Sequence, residues 1–503
     1  RPPRSTLFPY TTLFRSSFIL FQTNSKGRKI KVVPRYQQYR AVSKIIDRLR
    51  SADTPQEKGG IVWHTQGSGK SLTMMFVVRK MYREERLSGY KVVFITDRTA
   101  LEKQLRDTAK SLDYTVKVAS KISSLKKYLQ TDTPDIVMGM IHKFQEHELS
   151  QKFPVLNLSD KILVMIDEAH RSQYKILGAN LEESLPNAVK IAFTGTPIEK
   201  TESTFGDYID RYSIRQAVED GVTVEIVYEG RTHRGEVSDS QSMNQKFEDV
   251  FQSIDDETRK KILNRYTWKA YLEAQETIRD KARDMISHYI AHIFTNKFKA
   301  QVVAVSRIAA IRYKKVLEEA LQEKILELRK SPQPNLDMKQ LEKMRIEVNI
   351  SGSANDEPEI KKYTDEKKQE LFIKSFKLSF DQEEEGITGD VGILVVQSML
   401  LTGFDAPVEQ VMYLDDVIRE HNLLQAIARV NRVENHKNCG FIVDYVGIAN
   451  HLREALSVFE NKDIDEIFQV FKDASKDIDD LQFASRSLHG FFKKNGVENI
   501  SDI

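Results

Sequence analysis

Short, almost continuously apolar runs alternate along the chain with longer segments of helical spacing. GGIVWHT (59–65), KVVFITD (91–97), DIVMGMI (135–141), ILVMIDE (162–168) and VKIAFTG (189–195) predict strands buried on both faces, as in a parallel sheet. Amphipathic stretches such as SLTMMFVVRKMYREERL, after residue 70, lie between them, and the rhythm is that of repeated β-α-β units. It pauses over a polar, charge-rich stretch around 236–290. It resumes with AQVVAVS (300–306), VGILVVQ (391–397), VEQVMYLDD (408–416) and CGFIVDYV (439–446). Within this second set, residues 318–385 are mostly Lys, Glu, Gln and Asp and predict an insertion of exposed helices with a mobile loop. The spacing in LREALSVFENKDIDEIFQVFKD predicts a helical region from 456 onward. The expected fold class is therefore α/β, with two tandem parallel-sheet domains and the start of a C-terminal helical region. The expected boundaries are 17–225 for the first domain, 226–290 for a connecting helical segment, 291–455 for the second domain and 456–503 for the helical region.

Composition changes this picture little. A chain of 503 residues has room for two to four domains, and 40% hydrophobic with 30% charged is an ordinary globular mixture. Lys and Arg total 76 against 73 for Asp and Glu, so affinity for a polyanion must come from local stripes of charge. The single cysteine, Cys439, excludes an internal disulfide framework and fits a reducing cytoplasm. No apolar run approaches the roughly 20 residues that a membrane helix needs, so a cytoplasmic chain without a membrane partner is expected.

Candidate chemistry begins at WHTQGSGKS, 63–71. A glycine-rich turn from a buried strand into a helix, here Gln66, Gly67, Ser68 and Gly69, offers backbone amides and a helix N-terminus to phosphate. In that arrangement Lys70 reaches the β- and γ-phosphates of ATP and Ser71 holds Mg²⁺. His64 stands where the strict pattern has its first glycine. At the end of another apolar strand, VMIDEAH (164–170) carries two adjacent carboxylates. Beside a metal, Asp167 would complete the Mg²⁺ shell and Glu168 would orient or deprotonate the attacking water. The bland alternative is a helix start that favours acidic residues.

With these two motifs in order, the sequence resembles a superfamily-two helicase of the DEAH-box type. Its wording in WHTQGSGKS, DEAHRSQY, MLLTGFDAP and QAIARVNR is similar to the motor part of the restriction (R) subunit of type I restriction endonucleases. The likeness runs from about 30 to about 455. It implies two RecA-like domains, ATP and Mg²⁺ as cofactors, double-stranded DNA as partner, and assembly with modification and specificity subunits. RYQQYRAV (35–42) resembles the adenine-reading motif, with Gln38 favoured by its spacing to Ala41 and Gln37 the competitor. FTGTP (193–197) resembles the motif that couples hydrolysis to DNA movement, through Thr194 and Thr196. ITDRTALEKQL, MGMIHKF, VSRIAAIRY and QSMLLTGFDAP resemble further helicase motifs. Their candidate DNA contacts are Arg98, Lys143, Ser306, Arg307 and Thr402, while Gly403 and Asp405 would lie near the ribose and γ-phosphate.

QAIARVNR also has a physical reading. Gln425, Arg429 and Arg432 fall at i, i+4 and i+7, one face of a helix. Two guanidinium groups there could form a solvated face, yet the apolar flanks predict a half-buried helix with its arginines aimed at a target. A triphosphate fits, because the planar guanidinium pairs two oxygens and keeps its charge. The expectation is Arg429 and Arg432 as arginine fingers, with Gln425 near the attacking water. Ala428 and Asn431 stand where generic superfamily members have glycine.

The resembled subunit cuts DNA with an N-terminal nuclease domain, but here the first helicase motif arrives at about residue 35. EIK (359–361) and EKK (366–368) lie in charged surroundings without flanking strands. The expectation is a motor that translocates DNA without cutting it, in a fragment of an R subunit. Two alternatives stay open at this point: a stand-alone DNA or RNA helicase, and a non-catalytic DNA-binding fragment. The opening TLFPYTTLFRS (6–16) looks like the translation of a synthetic sequencing adapter, which makes 1–16 a non-native segment expected to lack function and fixed packing.

Overall fold

The computed structural model describes residues 18–23, 28–96, 99–111, 114–144, 153–167, 174–195, 205–231, 272–334, 336–353, 355–397, 399–400, 404–416, 418, 426, 428–446 and 471–473. Residues 1–16 lie outside them. The chain divides into two units, the first reaching Val222 and the second starting at Thr223.

An antiparallel hairpin of β1 (Leu20–Thr23) and β2 (Lys29–Val32) precedes the first sheet. That sheet comprises β3 (Gly60–His64), β4 (Lys91–Thr96), β5 (Val116–Val118), β6 (Ile136–Met140), β7 (Ile162–Asp167), β8 (Val189–Thr194) and β9 (Tyr208–Tyr212). The order is β5-β6-β4-β7-β8-β3-β9 and every pairing is parallel. The central strands are apolar on both faces because helices cover both. Met74, Phe76 and Val78 of the helix Lys70–Tyr82 pack with Val62, Phe94 and Met165 on one side. Ile95, Val164 and Ala192 meet Leu125 and Leu181 on the other. Fully burying an aromatic such as Phe94 contributes roughly 2–3 kcal/mol.

The second sheet holds β10 (Glu225–Gly230), β11 (Lys299–Ala304), β12 (Arg345–Asn349), β15 (Val391–Val396), β16 (Glu409–Asp415), β17 (Cys439–Asp444) and β18 (Phe471–Asp473). The remaining pair, β13 (Glu383–Glu384) and β14 (Ile387–Thr388), forms a small separate ladder. The seven strands run in the order β12-β15-β11-β16-β17-β10-β18, again all parallel. Two parallel seven-stranded sheets agree with the expected fold class.

Three segments differ from expectation. The expected connector, 226–290, belongs to the second unit: residues 226–230 pair with β17, and the helix Gln275–His288 buries Ile278, Ala282 and Met285 in that unit's core. The supposed insertion supplies essential parts of the sheet. The helix Arg307–Lys330 buries Leu317, Leu321, Ile325 and Leu328, and Arg345–Asn349 forms an edge strand beside β15. Its charges hid this because only one stripe of the helix and alternate strand residues face inward. In the C-terminal region the described residues are Phe471–Asp473, and they form a strand on β10 where the spacing predicted helix.

Candidate functional site: a phosphate loop and an arginine pair

In the first unit, β3 ends at His64 and the chain turns through Gln66–Gly69 into the helix that starts at Lys70. Gly67 and Gly69 have φ of 82° and 86°, the left-handed region that side chains avoid. Gly69 has a second constraint: an added Cβ would lie 2.5 Å from the Gln38 amide nitrogen. That nitrogen donates to the carbonyls of Ser68 (3.4 Å) and Gly69 (3.1 Å), while the Gln38 oxygen accepts from the Arg35 backbone N–H at 2.8 Å. Of the two candidate glutamines, Gln38 is therefore the one that touches the loop, and the side-chain nitrogen of Gln37 is buried without a hydrogen-bond partner.

The loop is a cradle with unused polar atoms. Ser68 Oγ and Gln66 Oε1 are buried without partners. Lys70 Nζ donates to the His64 carbonyl at 3.3 Å, and a Cβ on Gly195 would come within 3.0 Å of that ammonium. The Thr194–Gly195 end of β8 thus stands directly behind Lys70, and Thr194 is fully buried. Asp167 closes the adjacent strand β7, only 6% exposed, and Ser71 is half-buried at the first turn of the helix. A hydroxyl and a carboxylate are hard oxygen donors, and the helix N-terminus favours anions, so the residues present fit a Mg²⁺-bound triphosphate. Glu168, Thr196 and Arg98 lie outside the described residues.

Sequence reasoning missed the group that organises this corner. Asp210 of β9 is buried and accepts from Arg40 (2.8 and 2.9 Å), Lys44 (2.8 Å) and His64 Nε2 (2.9 Å). Burial would raise its carboxyl, but the bonds from His64, Arg40 and Lys44 hold it down to about 2. Burial pushes the His64 imidazole below its usual range despite the carboxylate beside it. A signal existed: Arg40 and Lys44 sit at i, i+4 on one helix face and imply an acidic partner.

In the second unit, Ala426 and Ala428–Val430 are helical, Asn431 turns, and Arg432 forms a bridge to Thr223. The expected continuous face is thus interrupted: Arg432 sits past the helix end, where the Asn431 carbonyl accepts from Val224 N–H at 2.7 Å. The arginines nevertheless converge. Arg429 is buried and donates to the Phe404 carbonyl, and Arg432 bonds the Asp405 carboxylate. Gly440 lets β17 approach, since a Cβ there would meet the Val430 carbonyl at 2.3 Å. Gln425, Gly403 and Thr402 lie outside the described residues.

The three described DNA-contact candidates all make bonds within the protein, Lys143 buried and Ser306 and Arg307 half-buried. Lys143 is buried with its ammonium on the Ala119 carbonyl. Ser306 caps the helix Arg307–Lys330 by accepting from Ala309 N–H at 3.1 Å. Arg307 pairs with Asp356 at 2.8 Å and donates to the Ser351 carbonyl at 3.0 Å.

A glycine turn from a buried parallel strand into a helix, followed by a second parallel α/β unit, is the arrangement of a two-unit ATPase of the helicase class. Residues 37–260 match the SWI2/SNF2 ATPase family, and residues 207–447 match domain 3 of the type I restriction enzyme subunit R. The chain belongs to the endonuclease (R) subunit family of type I restriction enzymes, of which it carries the SNF2-like ATPase domain. The HindI endonuclease subunit of Haemophilus influenzae is 33% identical over 473 residues, covering 88% of this chain and 42% of that protein. The chain thus spans less than half the length of that relative. Two solved structures share the fold. One is a fragment described as an HsdR subunit from Vibrio vulnificus YJ016 (15% identity, TM-score 0.52, 91% of this chain and 81% of the other). The other is the Type ISP restriction-modification enzyme LlaBIII bound to DNA (13% identity, TM-score 0.53, 84% and 28%). Among the described residues no helix is long and apolar enough to cross a membrane.

Proposed function

We propose that the chain is the ATP-driven motor of a type I restriction subunit, hydrolysing ATP to move double-stranded DNA. The observation that carries this reading is the loop itself: Lys70 at the mouth of a positive-φ glycine turn, Gln38 bonded to that turn, and the Thr194 strand end behind it. Gln66–Ser71 bind the triphosphate, and Gln38 reads adenine. Ser71 and Asp167 hold Mg²⁺, which when bound would neutralise charge on the transferring phosphoryl group. Glu168 orients the attacking water, with Gln425 nearby. Arg429 and Arg432 supply positive charge as the reaction proceeds, and Gly403 and Asp405 support them near the ribose and γ-phosphate. Thr194 and Thr196 relay the change of nucleotide state to DNA held through its phosphates.

Phosphate contacts are blind to sequence, so the choice of DNA site belongs to separate specificity and modification subunits in the cytoplasm. Arg98 and Thr402 remain candidates for those contacts. The motor step is tested by displacement of a third strand from a triplex placed ahead of the protein on duplex DNA. ATP-dependent displacement supports translocation, and ATP hydrolysis without displacement refutes it.

A further inference from the structure

Asp210 joins two structures that this reading gives different tasks. Arg40 and Lys44 lie on the helix Tyr36–Ser51, which also carries Gln38. His64 ends β3, and its own carbonyl accepts from Lys70 Nζ at 3.3 Å. β9 is tied to the same place through its backbone, where Thr65 N–H donates to the Tyr212 carbonyl at 3.0 Å. Asp210 therefore receives one side of its hydrogen bonds from the base-reading helix and the other from the root of the phosphate loop. A carboxylate with four charge-assisted or buried bonds is stiff, and breaking any of them leaves a buried polar group short of a partner. A plain structural staple at this position needs only one of the two sides.

We propose that Asp210 is a positioning residue that sets base selectivity among purine nucleoside triphosphates. It fixes the helix bearing Gln38 against the strand end bearing Lys70, and so fixes the distance between the groups that read the base and those that hold the phosphates. The inference rests on the ATPase reading of the loop. Asp210 touches no nucleotide and acts through Arg40 and His64.

The test is steady-state hydrolysis of ATP and GTP, with DNA present, by the full chain and by Asp210→Asn. Loss of the charge should raise KM for ATP about tenfold, the scale of one lost charge-assisted hydrogen bond, with kcat within about twofold. The preference for ATP over GTP in kcat/KM should shrink with it. If Asp210→Asn does not fold, Arg40→Gln serves instead, because Lys44 and His64 still hold the carboxylate; the same shift in preference is expected, smaller in size. A fall in thermal stability with the ATP-to-GTP preference unchanged in the folded variants overturns the proposal. Absence of ATP hydrolysis in the unmodified chain overturns the ATPase reading instead.

Discussion

The side-chain amide of Gln38 donates to the carbonyl of Gly69 at 3.1 Å, across 31 residues of chain, and the space it occupies is the space a Cβ on Gly69 would need. The shape of the loop and the place of the helix Tyr36–Ser51 are thus coupled. Gly69→Ala should fail twice, through φ of 86° and through displacement of the Gln38 amide. The strain costs on the order of 1–2 kcal/mol. Fluorescent ATP-analogue titration should show at least tenfold weaker binding with a small change in melting temperature.

Arg429 and Arg432 should separate in their effects. Arg432 is partly exposed and bonds an exposed carboxylate, so Arg432→Ala should fold normally and lose about 10³-fold in kcat, the scale of an arginine finger. Arg429 is buried on the Phe404 carbonyl, so Arg429→Ala should lose both turnover and stability. Circular-dichroism melts beside ATPase rates distinguish the two.

Near the arginines, the Glu409 carboxyl is fully buried and neither oxygen has a hydrogen-bond partner. Burial pushes it up to about 7, against the pull of Lys437, Arg429 and Arg432. With the folded value above the unfolded one, the folded state binds more protons between about 4.5 and 7. The stability of the second unit therefore falls as pH rises across that window. Glu409→Gln removes this contribution. Its melts should match those of the unmodified chain near pH 4.5 and exceed them above pH 7, by up to about 3 kcal/mol. A gain that shrinks with rising pH contradicts the assignment.

Lys143→Gln should leave the salt dependence of DNA affinity unchanged, whereas loss of a true phosphate contact lowers the slope of log K against log salt by about one. Its melting temperature should fall, since the ammonium is buried on the Ala119 carbonyl. Filter binding at several salt concentrations decides between them.

The sequence showed strands where both faces are buried. GIVWH, KVVFIT, ILVMID and GILVV read as uninterrupted apolar runs because helices cover both sides of each. It concealed strands at or near sheet margins, such as Tyr208–Tyr212, Glu225–Gly230 and Arg345–Asn349, where polar residues face partners or solvent. The same limit hid Asp210, a carboxylate inside a margin strand whose partners are 146 to 170 residues away. The places of Lys70 at a helix start and Asp167 at a strand end were legible because their motifs are local. The internal bonds of Lys143, Ser306 and Arg307 were not legible, because a motif fixes a position and not the direction of a side chain.

The most direct measurement is ATP hydrolysis by this chain with and without duplex DNA, beside Lys70→Ala. The account predicts turnover stimulated by DNA in the unmodified chain, and its loss in Lys70→Ala while DNA binding by filter retention persists. Undiminished hydrolysis in Lys70→Ala, or no hydrolysis in either protein, would contradict it.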